Sequence, residues 1–422
     1  MNILRSVRVE GFWGSKNFTI DFNQDVNFLI GVNGSGKTTL INLIAAGLTA
    51  DLLTLERTRF AAVEINLLDV KTNRKPSIEI TKRAIPDLPF PELTYAIKDN
   101  ANARSKKYSI DDLRHASGFP RRQFIEFSRR RSSAVNDHLR RLINISWLSI
   151  HRSQALRSQE ERSFESTVDM KLDQLQNDLV KYFSLLARRS ENELAQFQKT
   201  VFLSLLHEQV TPDLFTLVGS VNLEEETNSL MQIFKQFGME QPQFESQVAR
   251  HFAGVKSAQE ASEKKGGYST AQFAAALANA RIHGLVQEWQ KLGEKQSVIN
   301  APKDDFLKII NRMMTRKTCS VNDQNELVSL MCDTEAKLPL SEMSSGEKQL
   351  LILFGEGLLQ QGKDWLYIAD EPELSLHVNW QVQLIDDLRA INPRAQILVA
   401  THSPDIVSSY GSKVFDMQKV LL

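Results

Sequence analysis

Leu29-Ile30-Gly31-Val32-Asn33-Gly34-Ser35-Gly36-Lys37-Thr38-Thr39-Leu40 is the stretch on which the fold turns. From Gly31 to Thr38 it fits Gly-x-x-x-x-Gly-Lys-[Ser/Thr] at every fixed position. Val26, Phe28, Leu29 and Ile30 enter it as an apolar run, and Leu40, Ile41, Leu43 and Ile44 leave it at helical spacing. Strand, loop and helix in that order separate a phosphate-binding loop from a mere glycine turn. Glycines let the backbone curl until successive N–H groups point inward at a polyphosphate, and the helix starting near Lys37 adds its positive end. Asn33, Gly34, Ser35, Gly36, Lys37, Thr38 and Thr39 are therefore the expected cradle of a nucleoside triphosphate. Lys37 would reach the β- and γ-phosphates, and the Thr38 hydroxyl would be a Mg²⁺ ligand.

A chain of 422 residues can hold two or three domains' worth of core. An apolar fraction of 42% and a charged fraction of 24% place it among ordinary globular proteins. Lys and Arg number 51, as do Asp and Glu, so no partner is implied by overall charge. Cys319 and Cys332 are the only cysteines, which excludes a disulfide framework or multi-cysteine zinc site and makes a reducing cytoplasm the expected compartment. Neither a signal-peptide core nor a run of about 18 apolar residues is found, so no membrane association is expected.

Around the loop, residues 3–10 alternate like a strand, Asn17–Phe22 reads as a second, and Val26–Ile30 as the one feeding the loop. Gly11-Phe12-Trp13-Gly14 offers aromatic surface near the nucleotide; packing is the expected role of Phe12 and Trp13, with stacking on the base as the alternative. The helix after the loop is expected to run to about Leu53, and Phe60–Asp69 and Ser77–Arg83 form a hairpin about Asn73-Arg74-Lys75-Pro76. From about Ser163 to Asn300 apolar residues recur three or four apart, as in Leu172, Leu175, Leu179, Phe183 and Leu186, with a further helix over Ala271–Leu292. The heptad pattern is too short for a long coiled coil, so a helical insertion or short arm is expected. Mixed structure is expected to return after Pro302, with a hairpin over Thr318–Leu330.

Charge is uneven along the chain. Residues 104–162 carry fourteen Lys and Arg against six Asp and Glu. This is either a solvated face or a surface for nucleic acid or an acidic protein, and with few aromatics interleaved, backbone contact is expected rather than base stacking. Ile143–Ile150 within it is apolar enough for a central strand.

Three dense motifs close the chain. Ser344-Ser345-Gly346-Glu347-Lys348-Gln349 opens a helix, Trp365–Pro372 is an apolar strand ending in the pair Asp370-Glu371, and Ile397–Ser403 is another ending in His402. Each is weak evidence alone; their order behind a complete phosphate loop is specific. Together they resemble the ATP-binding-cassette class of P-loop ATPases. Gly31–Thr38 matches Walker A, Ser344–Gln349 the signature motif, Leu366–Glu371 Walker B with its glutamate, Glu373–His377 the D-loop, and His402 the switch histidine. Within that class the chain looks like the soluble RecF, SMC and OLD-type branch. The motifs cover only the two ends of the chain, and the middle resembles the branch in layout alone.

The resemblance implies an α/β fold: an ATPase head with a mixed sheet around the P-loop and an antiparallel β subdomain, interrupted by a helical insertion. The head would span 1–162 and 301–422, the insertion 163–300. It implies that Asp370 joins Thr38 in holding Mg²⁺, that Glu371 polarises the attacking water, and that His402 contacts the γ-phosphate, with Lys37 completing the catalytic set. Ser344, Gly346 and Glu347 would meet ATP bound to a second copy, with Ser375 at that junction and Gln154, rivalled by Arg152, as the Q-loop residue. A homodimer of ATP-bound heads follows, acting as a switch on a separately encoded effector, for example a Toprim-like nuclease, as in the PARIS-type defence ATPases. RecF-like DNA repair is the alternative. A transporter subunit is disfavoured, because Walker A and the signature are separated here by most of the chain. The residues after His402 are too few for a further domain, and the middle offers no recognisable second active site, so the chain is expected to cleave neither DNA nor RNA itself.

Overall fold

The computed structural model describes residues 2–84, 91–109, 133–148, 167–206, 222–263 and 269–422. Fourteen strands among them form three sheets. The first sheet holds β1 (Asn2–Phe12), β2 (Lys16–Asp21), β4 (Ala62–Asp69), β5 (Ser77–Arg83), β6 (Glu92–Lys98) and β7 (Lys106–Ser109), in the order β2-β1-β4-β5-β6-β7. All its pairings are antiparallel. Its strands alternate buried and partly exposed residues, as in β4 and β6, because one face packs on the core.

The second sheet holds β3 (Val26–Ile30), β8 (Ile145–Leu148), β12 (Trp365–Asp370), β13 (Ala395–Ala400) and β14 (Val414–Asp416), in the order β14-β3-β13-β12-β8. Every pairing in it is parallel. β13 is buried at all six positions, as a strand covered on both faces must be, and this is why it reads as one apolar run. The sheets are stitched by Gln396, 1% exposed, whose amide accepts from Leu4 N and donates to Leu4 O and Asn23 O at 2.7–2.8 Å. Register positions the site: Asp370 lies opposite Ala400, and Ala400 opposite Leu29. The C-terminal ends of β3, β12 and β13 therefore open side by side at one edge of the parallel sheet, where α/β folds bind ligands. A third, antiparallel sheet orders β11 (Lys337–Leu338), β10 (Leu327–Met331) and β9 (Lys317–Val321), the last two being the expected hairpin.

Three local expectations need correcting. The Ile143–Ile150 run forms β8 at the end of the described sheet, pairing with β12 alone, and is not central; an apolar run reports burial and not position in the order. The helix after the loop, Lys37–Thr49, stops at Ala50, which has a left-handed φ of 49°. Asp51 then caps a separate helix, Leu52–Arg57, by accepting from Thr54 N. Lastly, Pro302 does not end the helical region. The helix Thr270–Met313 runs through it, because Phe306, Ile309, Ile310 and Met313 continue the helical spacing and are all buried.

The chain divides into two compact units, Met1–Tyr182 with Lys303–Leu422, and Phe183–Pro302. The second unit is helical, with Leu223–Gln236 capped by Asn222, Gln241–Glu263, and parts of the 40-residue helix Thr167–Leu206 and the 44-residue helix Thr270–Met313. Its core includes Phe244, Val248 and Phe252 against Leu230 and Phe234, and Trp289 with its ring 5.2 Å from Phe197 and 5.5 Å from Phe237. Among the described residues no helix is long and apolar enough to cross a membrane.

Candidate functional site

The loop between β3 and its helix carries Gly31, Gly34 and Gly36 at φ values of 144°, 80° and 90°. At two of them a side chain would also collide: a β-carbon on Gly31 would stand 2.7 Å from Ser35 Oγ, and one on Gly36 2.9 Å from the Trp13 ring. Lys37 is 4% exposed, and its Nζ donates to Gly31 O at 2.8 Å and Val32 O at 3.2 Å. Burial pushes this ammonium below its ordinary pKa, while Glu371, Asp370 and Glu373 act in the opposite direction. A cation sunk in the loop and facing three carboxylates is suited to a polyanion.

The Thr38 hydroxyl donates to Asp370 Oδ1 at 3.0 Å, joining the first turn of the loop helix to the end of β12 across 332 residues of chain. Glu371 follows with φ at 50°, its N–H donating to Ala400 O at 2.8 Å. Its Oε1 lies 3.7 Å from His402 Nε2 at the end of β13. Glu373, 8% exposed, accepts through Oε1 from Thr401 Oγ1 at 2.6 Å, His402 N at 2.8 Å and Ser403 N at 3.3 Å. Ser403 Oγ in turn donates to Gln381 Oε1 at 2.7 Å.

These groups surround one cavity of about 810 Å³, bordered by Asn33, Gly34 and Gly36–Thr39 on the loop, Glu371, Glu373 and Leu374 after β12, and His402–Asp405 after β13. Trp13 borders it too and is 43% exposed, whereas Phe12 is fully buried and stacks beneath it with centroids 4.9 Å apart. The two aromatic residues therefore separate into a core residue and a cavity wall. The donor set fits a nucleotide with Mg²⁺. Ser35 Oγ and Glu373 Oε2 are buried without a hydrogen-bond partner among the described residues, and Thr38 with Asp370 offers the few oxygens that Mg²⁺ takes beside phosphate.

The signature residues stand elsewhere. Ser344 caps the helix Ser345–Leu359 in a capping box with Glu347, whose carboxylate also takes Lys317 Nζ at 2.7 Å. Ser344 and Ser345 are exposed, and Ser344, Gly346 and Glu347 do not border the cavity. Gly346 packs instead on Ser375, which has φ at 71°. The same helix is held by Lys348 to Asp169 at 2.7 Å and by Glu356 to Lys171 at 2.6 Å, and Gly355 leaves room for Leu175. Gln154, Arg152 and Arg121–Arg131 lie outside the described residues. The sequence placed Glu373 in the D-loop, Glu373–His377, without a role of its own, and gave Gln381 and Asp405 none; the signal for Glu373 was a second acid after the proline in Asp370-Glu371-Pro372-Glu373.

A family profile described as AAA ATPase domain matches residues 1–407. The Septu protein PtuA of Bacillus thuringiensis is 40% identical over 53 residues, which make up 13% of this chain and 13% of that protein's length. Among solved structures, the Smc head domain with an extended coiled coil from Pyrococcus furiosus, bound to the C-terminal domain of ScpA, is similar over 97% of this chain and 92% of that one, at 15% identity and a TM-score of 0.44. The Smc head domain with a coiled coil and joint from Pyrococcus yayanosii is similar over 97% and 93%, at 14% identity and a TM-score of 0.38.

Proposed function

The chain belongs to the family described as AAA ATPase domain, and we propose that it hydrolyses ATP at sites completed between two copies and passes the resulting change to a separate effector. The observation that carries this reading is the meeting of Thr38, Glu371 and His402 around one cavity, with Asp370 accepting from the Thr38 hydroxyl, while the exposed Ser344 and Ser345 stand outside it. In the ATP-bound chain, Lys37 exchanges its loop carbonyls for the β- and γ-phosphates, and the loop N–H groups hold the remaining oxygens. Thr38 and Asp370 would hold Mg²⁺, which would supply neutralisation of the phosphate charge. Glu371 accepts a proton from water as the water oxygen bonds to the γ-phosphorus and the bond to the β–γ bridging oxygen breaks, releasing ADP and phosphate. His402, beside Glu371, orients that water.

A second copy supplies what the cavity lacks on its open side. Leu374, Val378 and Val382 are exposed apolar residues at 39%, 54% and 48% in and after the D-loop, a surface a second head would cover. The reading kept is that of an anti-phage ATPase with a separately encoded nuclease as its effector, RecF-like repair being the alternative. Glu371→Gln tests the core of the proposal. It should bind ATP and lose turnover by at least ~100-fold, and light scattering with ATP should show a persistent dimer. Unchanged turnover, or a monomer under saturating bound ATP, would refute the corresponding role.

A further inference from the structure

We propose that Glu373 is a positioning residue for ATP hydrolysis, holding the His402 backbone at a fixed distance from Glu371; the inference rests on the ATPase reading above. Glu371 and Glu373 belong to the same turn after β12, whereas Thr401, His402 and Ser403 form the turn after β13. Backbone pairing between these strands reaches Asp370 and Ala400. Glu371 N–H adds one bond to Ala400 O. Beyond it the three donors of residues 401–403 converge on a single carboxylate oxygen, Glu373 Oε1.

Convergent bonds to a charged acceptor are shorter and stronger than neutral ones, so this oxygen acts as a rivet between the two turns. Thr401 is fully buried and cannot swing away; its hydroxyl donates to Glu373 and accepts from Ser403 N at 2.9 Å. From the other side Gln349 Nε2 donates to Pro372 O at 2.7 Å, so the turn carrying Glu373 is itself anchored to the signature helix. The His402 ring is more than a third exposed, and among the described residues its Nε2 stands 3.7 Å from Glu371 Oε1, beyond hydrogen-bond length. Its backbone must therefore be held by something else, and Glu373 holds it.

A purely architectural turn would need only an acceptor. Here the second oxygen, Oε2, is buried, has no partner among the described residues, and belongs to a residue bordering the nucleotide cavity. Leaving a carboxylate oxygen unpaired beside the reacting groups is costly unless the occupied site satisfies it. That places the rivet within the working site and not in the core.

Steady-state ATP hydrolysis over a mutant cycle with His402 is the test. Glu373→Ala should lower kcat by about 100-fold, the cost of a misplaced group at short range, with KM for ATP within about threefold. Glu373→Gln, which keeps an acceptor of the same shape, should recover about tenfold of that loss. Glu373→Ala combined with His402→Ala should be no slower than His402→Ala alone, because the glutamate acts through the histidine. Additive losses in the double variant, a change in KM with kcat intact, or a Gln variant as slow as Ala would each overturn the proposal. Thr401→Val, which removes one donor and leaves the carboxylate, should show the same kcat-only loss if Glu373→Ala fails to fold. Wild-type protein that hydrolyses no ATP would sink the ATPase reading itself, an outcome distinct from additivity in an active enzyme.

Discussion

Gly346 and Ser375 are in contact so close that a β-carbon on Gly346 would lie 2.4 Å from the Ser375 carbonyl oxygen. The obstacle is backbone and cannot rotate out of the way. Gly346→Ala should therefore push the signature helix off the D-loop, at a cost of about 1–3 kcal/mol in stability. Denaturant unfolding should record that loss together with reduced ATP turnover; an alanine variant of wild-type stability and rate would show that the contact is slack.

Lys37→Ala removes the one loop cation buried against Glu371, Asp370 and Glu373. Affinity for ATP should fall by about 100-fold, the value of a charge-assisted contact to phosphate. Titration with a fluorescent ATP analogue measures this, and tight binding by the variant would remove the loop from the site.

Trp13 rests against Gly36 at the cavity wall while Phe12 is packed away below it. Stacking on an adenine is worth about 1–3 kcal/mol. Trp13→Ala should weaken ATP binding by about tenfold and Trp13→Phe by less, read by calorimetry against a triphosphate lacking the base. Equal affinities for all three proteins would make Trp13 a packing residue.

Acid should loosen the end of the antiparallel sheet. His138 Nε2 lies 2.6 Å from Asp99 Oδ1 and its Nδ1 2.9 Å from the Tyr108 hydroxyl, so the imidazole bridges the end of β6, strand β7 and helical residues 133–142. The His138 hydrogen bond, helped by Lys106, lowers the Asp99 pKa from 3.8. A carboxyl with a depressed folded pKa contributes stability that is present above 3.8 and is lost as pH falls through the lower folded value. Chemical denaturation at pH 6 and pH 3 should show a smaller acid loss in Asp99→Asn than in wild type.

The basic stretch makes a separate prediction. Arg140 and Arg141 are exposed on the helical residues preceding β8, and Arg121, Arg122 and Arg129–Arg131 lie outside the described residues. Reversing the charge at Arg129–Arg131, Arg140 and Arg141 should weaken binding of duplex DNA and flatten its salt dependence, with ATP hydrolysis unaffected. Binding that ignores salt in the wild type would return the stretch to a solvated face.

Much of this is legible along the chain, because its signals are local. The glycines of the phosphate loop, the apolar run of β13, the acidic pair after β12 and the capping serine of the signature helix each act within a few residues of themselves. What followed from contact between distant segments was not legible. Apolar runs mark β3, β8, β12 and β13 alike, but only hydrogen-bond register brings Leu29, Asp370 and Ala400 level and puts β8 at the end of the order. Pro302 reads as a stop until buried Phe306 and Ile310 offset its cost. Glu373 and residues 401–403 carry no mutual pattern along the chain, since nothing in a one-dimensional spacing records which carboxylate three donors will meet. Which chemical groups this protein possesses is written along its chain; which of them share a cavity depends on folding, because burial and strand register act between residues that the chain keeps hundreds of positions apart.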